Sequence, residues 1–158
     1  MNMGTPTLDQ DEAVNLGEIT GSIGFLLRMS QLRAFDFFFK TLGDHGLRPG
    51  EFTVLWVIWL NPNLRQGVVA QKLRIKPAHM TKLVQRLAKA NLVARVFPED
   101  DRRSVRLALT PEGERFVARY REQFLHAHIA ERSDLTTEEA ETMIALLQRY
   151  SGLEGIGQ

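Results

Sequence analysis

The sequence contains no cysteine, and this absence excludes several classes of site. Without thiols the chain can form no disulfide bond, no thiolate metal site and no cysteine-based redox sensor. It also lacks a long apolar run, because Val54–Leu60 is far shorter than the ~20 residues that span a bilayer. The first twelve residues have neither the basic nor the apolar segment of a signal peptide. These absences predict a cytoplasmic protein that makes no contact with a membrane.

The net charge of +1 is small, but the charge is unevenly distributed. Residues 64–109 contain eleven basic and three acidic residues, a local charge of +8, and the remainder of the chain therefore carries −7. A basic module in an acidic frame is typical of proteins that bind nucleic acid. A solvated basic face without a partner is the alternative at this point.

The first strongly patterned segment follows a polar tail at residues 1–15, which we expect to be flexible. From about Leu16 to Gly43 the apolar spacing predicts a helix with two apolar faces. A helix that is apolar on two sides is buried on both, and a second subunit can provide the second contact. The pattern therefore predicts a homodimer, with a central helix of a monomeric core as the alternative.

The middle of the chain has the pattern of a helix-turn-helix. A helix begins at Pro49 and runs to about Leu60, and two shorter helices are predicted at about 65–73 and 77–90. The inner face of the last one carries the apolar residues Met80, Leu83, Val84 and Leu87. We expect Asn91 to end that helix in the left-handed conformation.

The periodicity then changes to the alternation of strands. Residues 93–97 and 104–109 predict a β-hairpin with a charged loop between them, placed directly after the helix-turn-helix. Thr110–Pro111 begins another helix, and Thr136 with Glu139 predicts a capping box at the start of the last one. The fold class is therefore mainly α with a small β-hairpin wing (α+β), a winged helix-turn-helix with six helices.

A helix-turn-helix inserts its second helix into the major groove, where outward side chains meet base edges. Gln85 suits adenine, Lys82 or Arg86 suits guanine or phosphate, and Thr81 can contact a thymine methyl group. The wing arginines can reach a minor groove, and Asp101 can orient one of them. The predicted DNA-binding residues are Ala78, His79, Thr81, Lys82, Gln85, Arg86, Asp101, Arg102 and Arg103.

Several segments together resemble the MarR (multiple antibiotic resistance regulator) family. They are LRPGEFTVL (47–55), VAQKLRI (69–75), LVQRL (83–87) with NLV (91–93), DRRSV (101–105) and LTPEG (109–113). The resemblance covers about residues 19–150, and its most specific part is the D-x-R wing followed by L-T-P-x-G. Asn91 departs from the family's usual glycine, and Arg65 stands where the family often has serine or threonine.

The resemblance implies a triangular homodimer in a single compact chain. Residues 16–46 and 111–152 would form the dimerisation helices and residues 47–110 the DNA-binding lobe. It further implies a repressor that binds a palindromic DNA operator and is released by a small ligand. His126 and His128 are two residues apart on a helix and cannot face one metal, so no metal site is predicted.

The effector is predicted from polar groups beside aromatic ones. Arg28, Gln31, Phe35 and Trp56 would bind a phenolic compound, an aromatic carboxylate or its coenzyme A thioester. Alternatively, Arg33 pairs with Asp36, Arg28 extends along the surface to water, and the aromatic residues are core.

Two other classes of function are alternatives to DNA binding. No segment has the spacing of a nucleophile elbow, a metal site or a phosphate-binding loop, so neither an enzyme nor a cofactor is predicted. A winged helix used only for protein contacts is the remaining alternative. The concentration of positive charge in residues 64–109 argues against it.

Overall fold

The computed structural model describes residues 14–99, 104–130 and 135–153, apart from the side chains of Thr41 and residues 126–130. The chain divides into two compact units, residues 1–34 and residues 35–158. The predicted division into dimerisation helices and a DNA-binding lobe stays a prediction.

The described part of the first unit is helical and exposes its apolar side chains. A 3-10 helix at Gly17–Gly21 is followed by Ser22 in an extended conformation, and α1 (Ile23–Leu42) then begins. The prediction of one continuous helix from Leu16 is therefore wrong in its first turns. Ile23, Leu26 and Met29 are each about half exposed.

The second unit contains the end of α1 and five further α-helices. They are α2 (Pro49–Leu60), α3 (Gln66–Lys72), α4 (Pro77–Lys89), α5 (Pro111–Ala130) and α6 (Thr137–Ser151). The described residues thus contain the six predicted helices. Thr136 caps α6, since its Oγ1 accepts a hydrogen bond from the Glu139 N–H, which confirms the predicted capping box.

Three short strands form an antiparallel sheet in the order β1-β3-β2. They are β1 (Leu64–Arg65), β2 (Val93–Val96) and β3 (Arg106–Leu109). Leu107 lies opposite Leu64 on one side and Arg95 on the other. The sequence predicted the β2–β3 hairpin but missed β1, so the wing is anchored to the chain segment before α3.

The core of the second unit joins α2 to the helix-turn-helix and to α5. Its fully buried side chains include Phe52, Leu55, Ile58, Met80, Leu87, Leu107 and Val117. Burying each side chain of this kind contributes about 1.5–3 kcal/mol. The four apolar residues predicted for the inner face of α4 are all buried, which confirms that face.

The start of α5 is fitted closely to the end of α4. Thr110 N–H donates to the Leu92 carbonyl oxygen (3.1 Å), and Thr110 Oγ1 accepts from the Gly113 N–H (3.0 Å). A side chain at position 113 would overlap the Leu92 carbonyl group, so only glycine fits there. The L-T-P-x-G motif therefore fixes the base of the wing against α4.

No helix in residues 14–99, 104–130 and 135–153 is long and apolar enough to cross a membrane. The same residues contain no group of three His, Asp or Glu side chains arranged to hold a metal ion.

Candidate nucleic-acid interface

One face of α4 is buried and the opposite face is open to solvent. Because Met80, Leu83, Val84 and Leu87 lie in the core, the residues between them point outward. The six predicted DNA-binding residues of this helix are all exposed: Ala78, His79, Thr81, Lys82, Gln85 and Arg86. The structure therefore brings these six together on one helical surface.

Thr81 joins the two helices of the motif. Its hydroxyl donates to the Pro77 carbonyl oxygen (3.1 Å) and accepts from Nε2 of Gln66 at the start of α3 (3.3 Å). The hydroxyl hydrogen is thus used within the protein. Thr81 can still present its methyl group to a base.

Arg86 differs from its exposed neighbours because its guanidinium is bound within the protein. Nη1 lies 3.3 Å from Oε1 of Glu51, and Nη2 donates to the carbonyl oxygen of Gly46 (3.2 Å). Its side chain is only 42% exposed. In this structure the guanidinium supports α4, and the ion pair would have to break before Arg86 could read a base. The predicted contact of Arg86 with guanine or phosphate stays a prediction.

Glu51, which sequence reasoning missed, is the partner that holds Arg86. It is the only buried charged residue in the described part of the chain. Its Oε2 accepts a hydrogen bond from the Arg48 N–H (2.8 Å) at the start of α2, so both carboxylate oxygens are engaged. The signal available in the sequence was a glutamate three residues after an N-cap position, just behind Pro49.

The turn before α2 is also connected to α5. The hydroxyl of Tyr120 lies 2.7 Å from Nε2 of His45, whose ring packs edge-on against Phe116. His45 directly precedes Gly46, which accepts the hydrogen bond from Arg86. The turn at Gly43–Gly46 is thereby joined to α5 and to α4.

The charged residues of the helix-turn-helix segment and β2 are all basic. Residues 64–98 contain no aspartate or glutamate, and Lys72, Arg74, Lys76, Lys82 and Lys89 are all exposed. Arg106 differs, since its Nη1 donates to the Asn63 carbonyl oxygen (3.3 Å) beside β1. The exposed lysines and arginines of the helix-turn-helix therefore concentrate positive charge around α4.

The wing residues Asp101, Arg102 and Arg103 lie outside the described residues. They lie between β2 and β3 in the sequence, and Arg95 on β2 is exposed. The roles of these three residues stay predictions.

The predicted effector residues fall in both units. Arg28 and Gln31, in residues 1–34, are exposed. Phe35 and Trp56, in the second unit, are half-buried. Trp56 belongs to an aromatic cluster. The centroid of its ring lies 6.0 Å from that of Phe52 and 6.0 Å from that of Phe124.

An arginine that the sequence did not single out lies beside this cluster. The guanidinium carbon of Arg121, on α5, lies 5.4 Å from the ring centroid of Trp59. This is the geometry of a cation–π contact, and it places a cation next to aromatic rings within the second unit.

Comparison with known proteins places these features among transcriptional regulators. The sequence model of the MarR family matches residues 47–105. A protein described as a transcriptional regulatory protein for the hcr operon of Thauera aromatica is 32% identical over 134 residues, which cover 84% of this chain and 81% of that protein.

Solved structures of regulators share the fold. The transcriptional repressor CouR, bound to a 23-mer DNA duplex, superposes with a TM-score of 0.77 and 27% identity, covering 89% of this chain and 98% of CouR. BpsR of Bordetella bronchiseptica, whose DNA binding is regulated by 6-hydroxynicotinic acid, superposes with a TM-score of 0.71 and 25% identity, covering 84% and 94%. These relatives are regulators and not enzymes, which confirms that prediction.

Proposed function

The chain belongs to the MarR family of DNA-binding transcriptional regulators, and from this premise we propose that it is a repressor that binds a palindromic operator as a homodimer and is released by a small aromatic ligand. The outward face of α4 is the observation that carries the proposal. Polar and cationic side chains project from it, while its other face is buried in the core. This is the form of a helix that reads the major groove.

The exposed residues of α4 have different roles in DNA binding. Gln85 and Lys82 read base edges, His79 and Ala78 at the N-terminal end approach the groove floor, and Thr81 offers a methyl group. Arg86 holds the helix through Glu51 and Gly46. In the wing, Arg102 and Arg103 contact the minor groove or its phosphates, with Asp101 orienting one of them.

Two copies of the chain would place two such helices on one face of the duplex. Apolar side chains left exposed in α6 support a dimer, among them Ile144, Leu147 and Tyr150. A twofold dimer requires a pseudo-palindrome whose half-sites are about one helical turn, ~10 bp, apart.

The DNA-binding proposal is tested by selecting operators from a random duplex library. The selected site should be a pseudo-palindrome, and its affinity should fall steeply between 50 and 200 mM salt as counterions compete, as expected for roughly 6–10 phosphate contacts. Gln85→Ala should change the selected sequence, Arg86→Ala should weaken binding without changing it, and Arg103→Ala should weaken binding evenly across sites. Salt-insensitive binding, or none, would favour the protein-interaction module.

We infer an effector of the aromatic acid class. BpsR, a structural relative, responds to 6-hydroxynicotinic acid, a hydroxylated aromatic carboxylate. Within the second unit, Arg121 beside Trp59 would bind the carboxylate, and Phe35 and Trp56 would contact the ring. The parts of Arg28 and Gln31 in ligand binding stay predictions. The coenzyme A thioester of such an acid is a larger ligand with the same aromatic group.

Titration calorimetry and gel shifts test the effector proposal. Hydroxybenzoates, hydroxycinnamates, hydroxynicotinate and the coenzyme A thioesters are added to the protein–operator complex. Heat of binding together with loss of DNA binding would support the proposal. The absence of both with every compound would refute it and leave the DNA-binding proposal standing.

A further inference from the structure

The turn between α3 and α4 holds an arginine in an unfavourable backbone conformation. Arg74 has φ of +54°, in the left-handed region that favours glycine. Its N–H donates to the Gln71 carbonyl oxygen (3.2 Å), and the next N–H, of Ile75, donates to that of Ala70 (2.8 Å). These two bonds form the helix-ending motif in which glycine usually occupies the left-handed position.

Two other helices end in the same motif with residues suited to it. Asn91 follows α4 with φ of +57°, and Gly152 follows α6 with φ of +70°. In both, the following N–H bonds the carbonyl five residues back. Asparagine and glycine adopt this conformation readily, whereas a long side chain destabilises it. Arg74 is therefore the ill-suited residue of the three.

No side-chain hydrogen bond or ion pair in the described structure offsets the strain at Arg74. The Arg74 side chain is exposed, and among the described residues no hydrogen bond or ion pair reaches its guanidinium. Attraction to the negative end of the α3 dipole is the structural explanation, and it is a small effect that salt screens. Strained residues of this kind concentrate at functional sites.

The position of Arg74 indicates a function. It lies three residues before Pro77, where the recognition helix begins, and the N-terminal end of such a helix enters the groove between two phosphate backbones. Exposed Lys72 and Lys76 flank it, and residues 64–98 contain no acidic residue.

We propose that Arg74 of each protomer binds a DNA backbone phosphate beside the N-terminal end of α4, and that this contact is the reason an arginine occupies a glycine position. The inference rests on the proposed DNA-binding function. It adds a binding residue that carries no sequence preference, because phosphate contacts position the protein without reading bases.

The experiment compares stability with DNA affinity in the full-length protein. Arg74→Gly removes both strain and charge, Arg74→Lys keeps the charge, and Asn91→Gly relaxes the same conformation at a site away from the N-terminal end of α4. The probe is the operator selected by the parent protein, with binding followed by fluorescence anisotropy over a range of salt. Thermal unfolding is measured without DNA.

Arg74→Gly should raise Tm by about 2–4 °C while weakening operator binding roughly tenfold or more. The slope of log Kd against log salt should fall by about 2, since each dimer loses two phosphate contacts. Arg74→Lys should retain most of the slope, and Asn91→Gly should leave DNA binding unchanged.

Two results would overturn the inference, and a third would overturn the proposed function. Parental affinity and salt slope in Arg74→Gly would overturn this inference while leaving the proposed function intact. A lower Tm in Arg74→Gly would show that the arginine serves the fold and would also overturn it. A parent protein without salt-dependent DNA binding would overturn the proposed function itself.

Discussion

Nη1 of Arg86, on the recognition helix, lies 3.3 Å from Oε1 of Glu51, a carboxylate whose side chain is only 5% exposed at the start of α2. The same guanidinium binds the Gly46 carbonyl oxygen, and the other carboxylate oxygen binds the Arg48 N–H. A half-exposed arginine thus ties α4 to a buried acid 35 positions earlier in the chain. This link connects the exposed face of α4 to the start of α2.

A double-mutant cycle measures that link. Glu51→Ala and Arg86→Ala should each lower the free energy of unfolding by about 1–3 kcal/mol, because each leaves a polar partner unpaired. The arginine is partly solvated, so we expect the coupling energy to lie near 1 kcal/mol. Urea denaturation gives the values. Lys89→Ala, on an exposed position of the same helix, should change stability by less than about 0.5 kcal/mol. Strictly additive single effects would contradict the coupling.

The first turn of α5 gives a second stability prediction. Gly113→Ala should destabilise the protein by about 3 kcal/mol, because the added methyl group overlaps the backbone carbonyl of Leu92, which cannot move without distorting the end of α4. Gly50→Ala is the matched control, since nothing lies within 4 Å of a methyl group there. That substitution should be neutral or stabilise α2 by about 0.5–1 kcal/mol. Equal unfolding midpoints for the two variants would contradict the close fit.

The sequence predicted α4 correctly because the spacing of apolar residues along a helix is a local pattern. Alternating core and solvent residues at helical spacing define both faces of α4, and the caps at Asn91 and Thr136 are properties of single turns. The structure confirms these features, and predicting them required no information about contacts between distant segments.

Features that join distant segments could not be read in the same way. Strand β1 has two residues, too few to show alternation, and it exists because Leu64 pairs with Leu107. The Glu51–Arg86 ion pair likewise depends on how α2 packs against α4. For this reason the sequence could list Arg86 among the outward residues of α4 without showing its ion pair, which only the tertiary structure reveals.

The exposed apolar side chains of α6 predict a dimer that one substitution can weaken. Leu147→Lys should shift the protein toward monomer and raise the dimer dissociation constant by about a hundredfold or more, because a charge would replace an exposed apolar side chain that the dimer would bury in both subunits. Light scattering over a dilution series measures this. Gln148→Lys, the next residue along the same helix, is the control and should stay dimeric. A monomeric parent protein would contradict the dimer, and a fully dimeric Leu147→Lys would remove this position from the interface.

The capping box of α6 predicts a pH dependence of stability. Backbone hydrogen bonding by the Thr136 N–H (2.7 Å to Oε2), followed by the Thr136 side chain, lowers the pKa of Glu139 below its ordinary value of 4.5. A carboxyl group whose folded pKa is lowered stabilises the fold fully above its unfolded pKa, and this stabilisation is lost as pH falls through the folded pKa. Glu139→Gln should therefore lower Tm at pH 7, and the difference in Tm between the variant and the parent should shrink below about pH 4.

Glu138→Gln is the control for this prediction. It also removes a charge from the first turn, but no capping hydrogen bond to Glu138 is found among the described residues. Identical pH profiles for the two variants would show that only first-turn charge matters. A larger loss at neutral pH in Glu139→Gln would identify the charge-assisted capping bond as the cause, since glutamine can accept only a neutral hydrogen bond there.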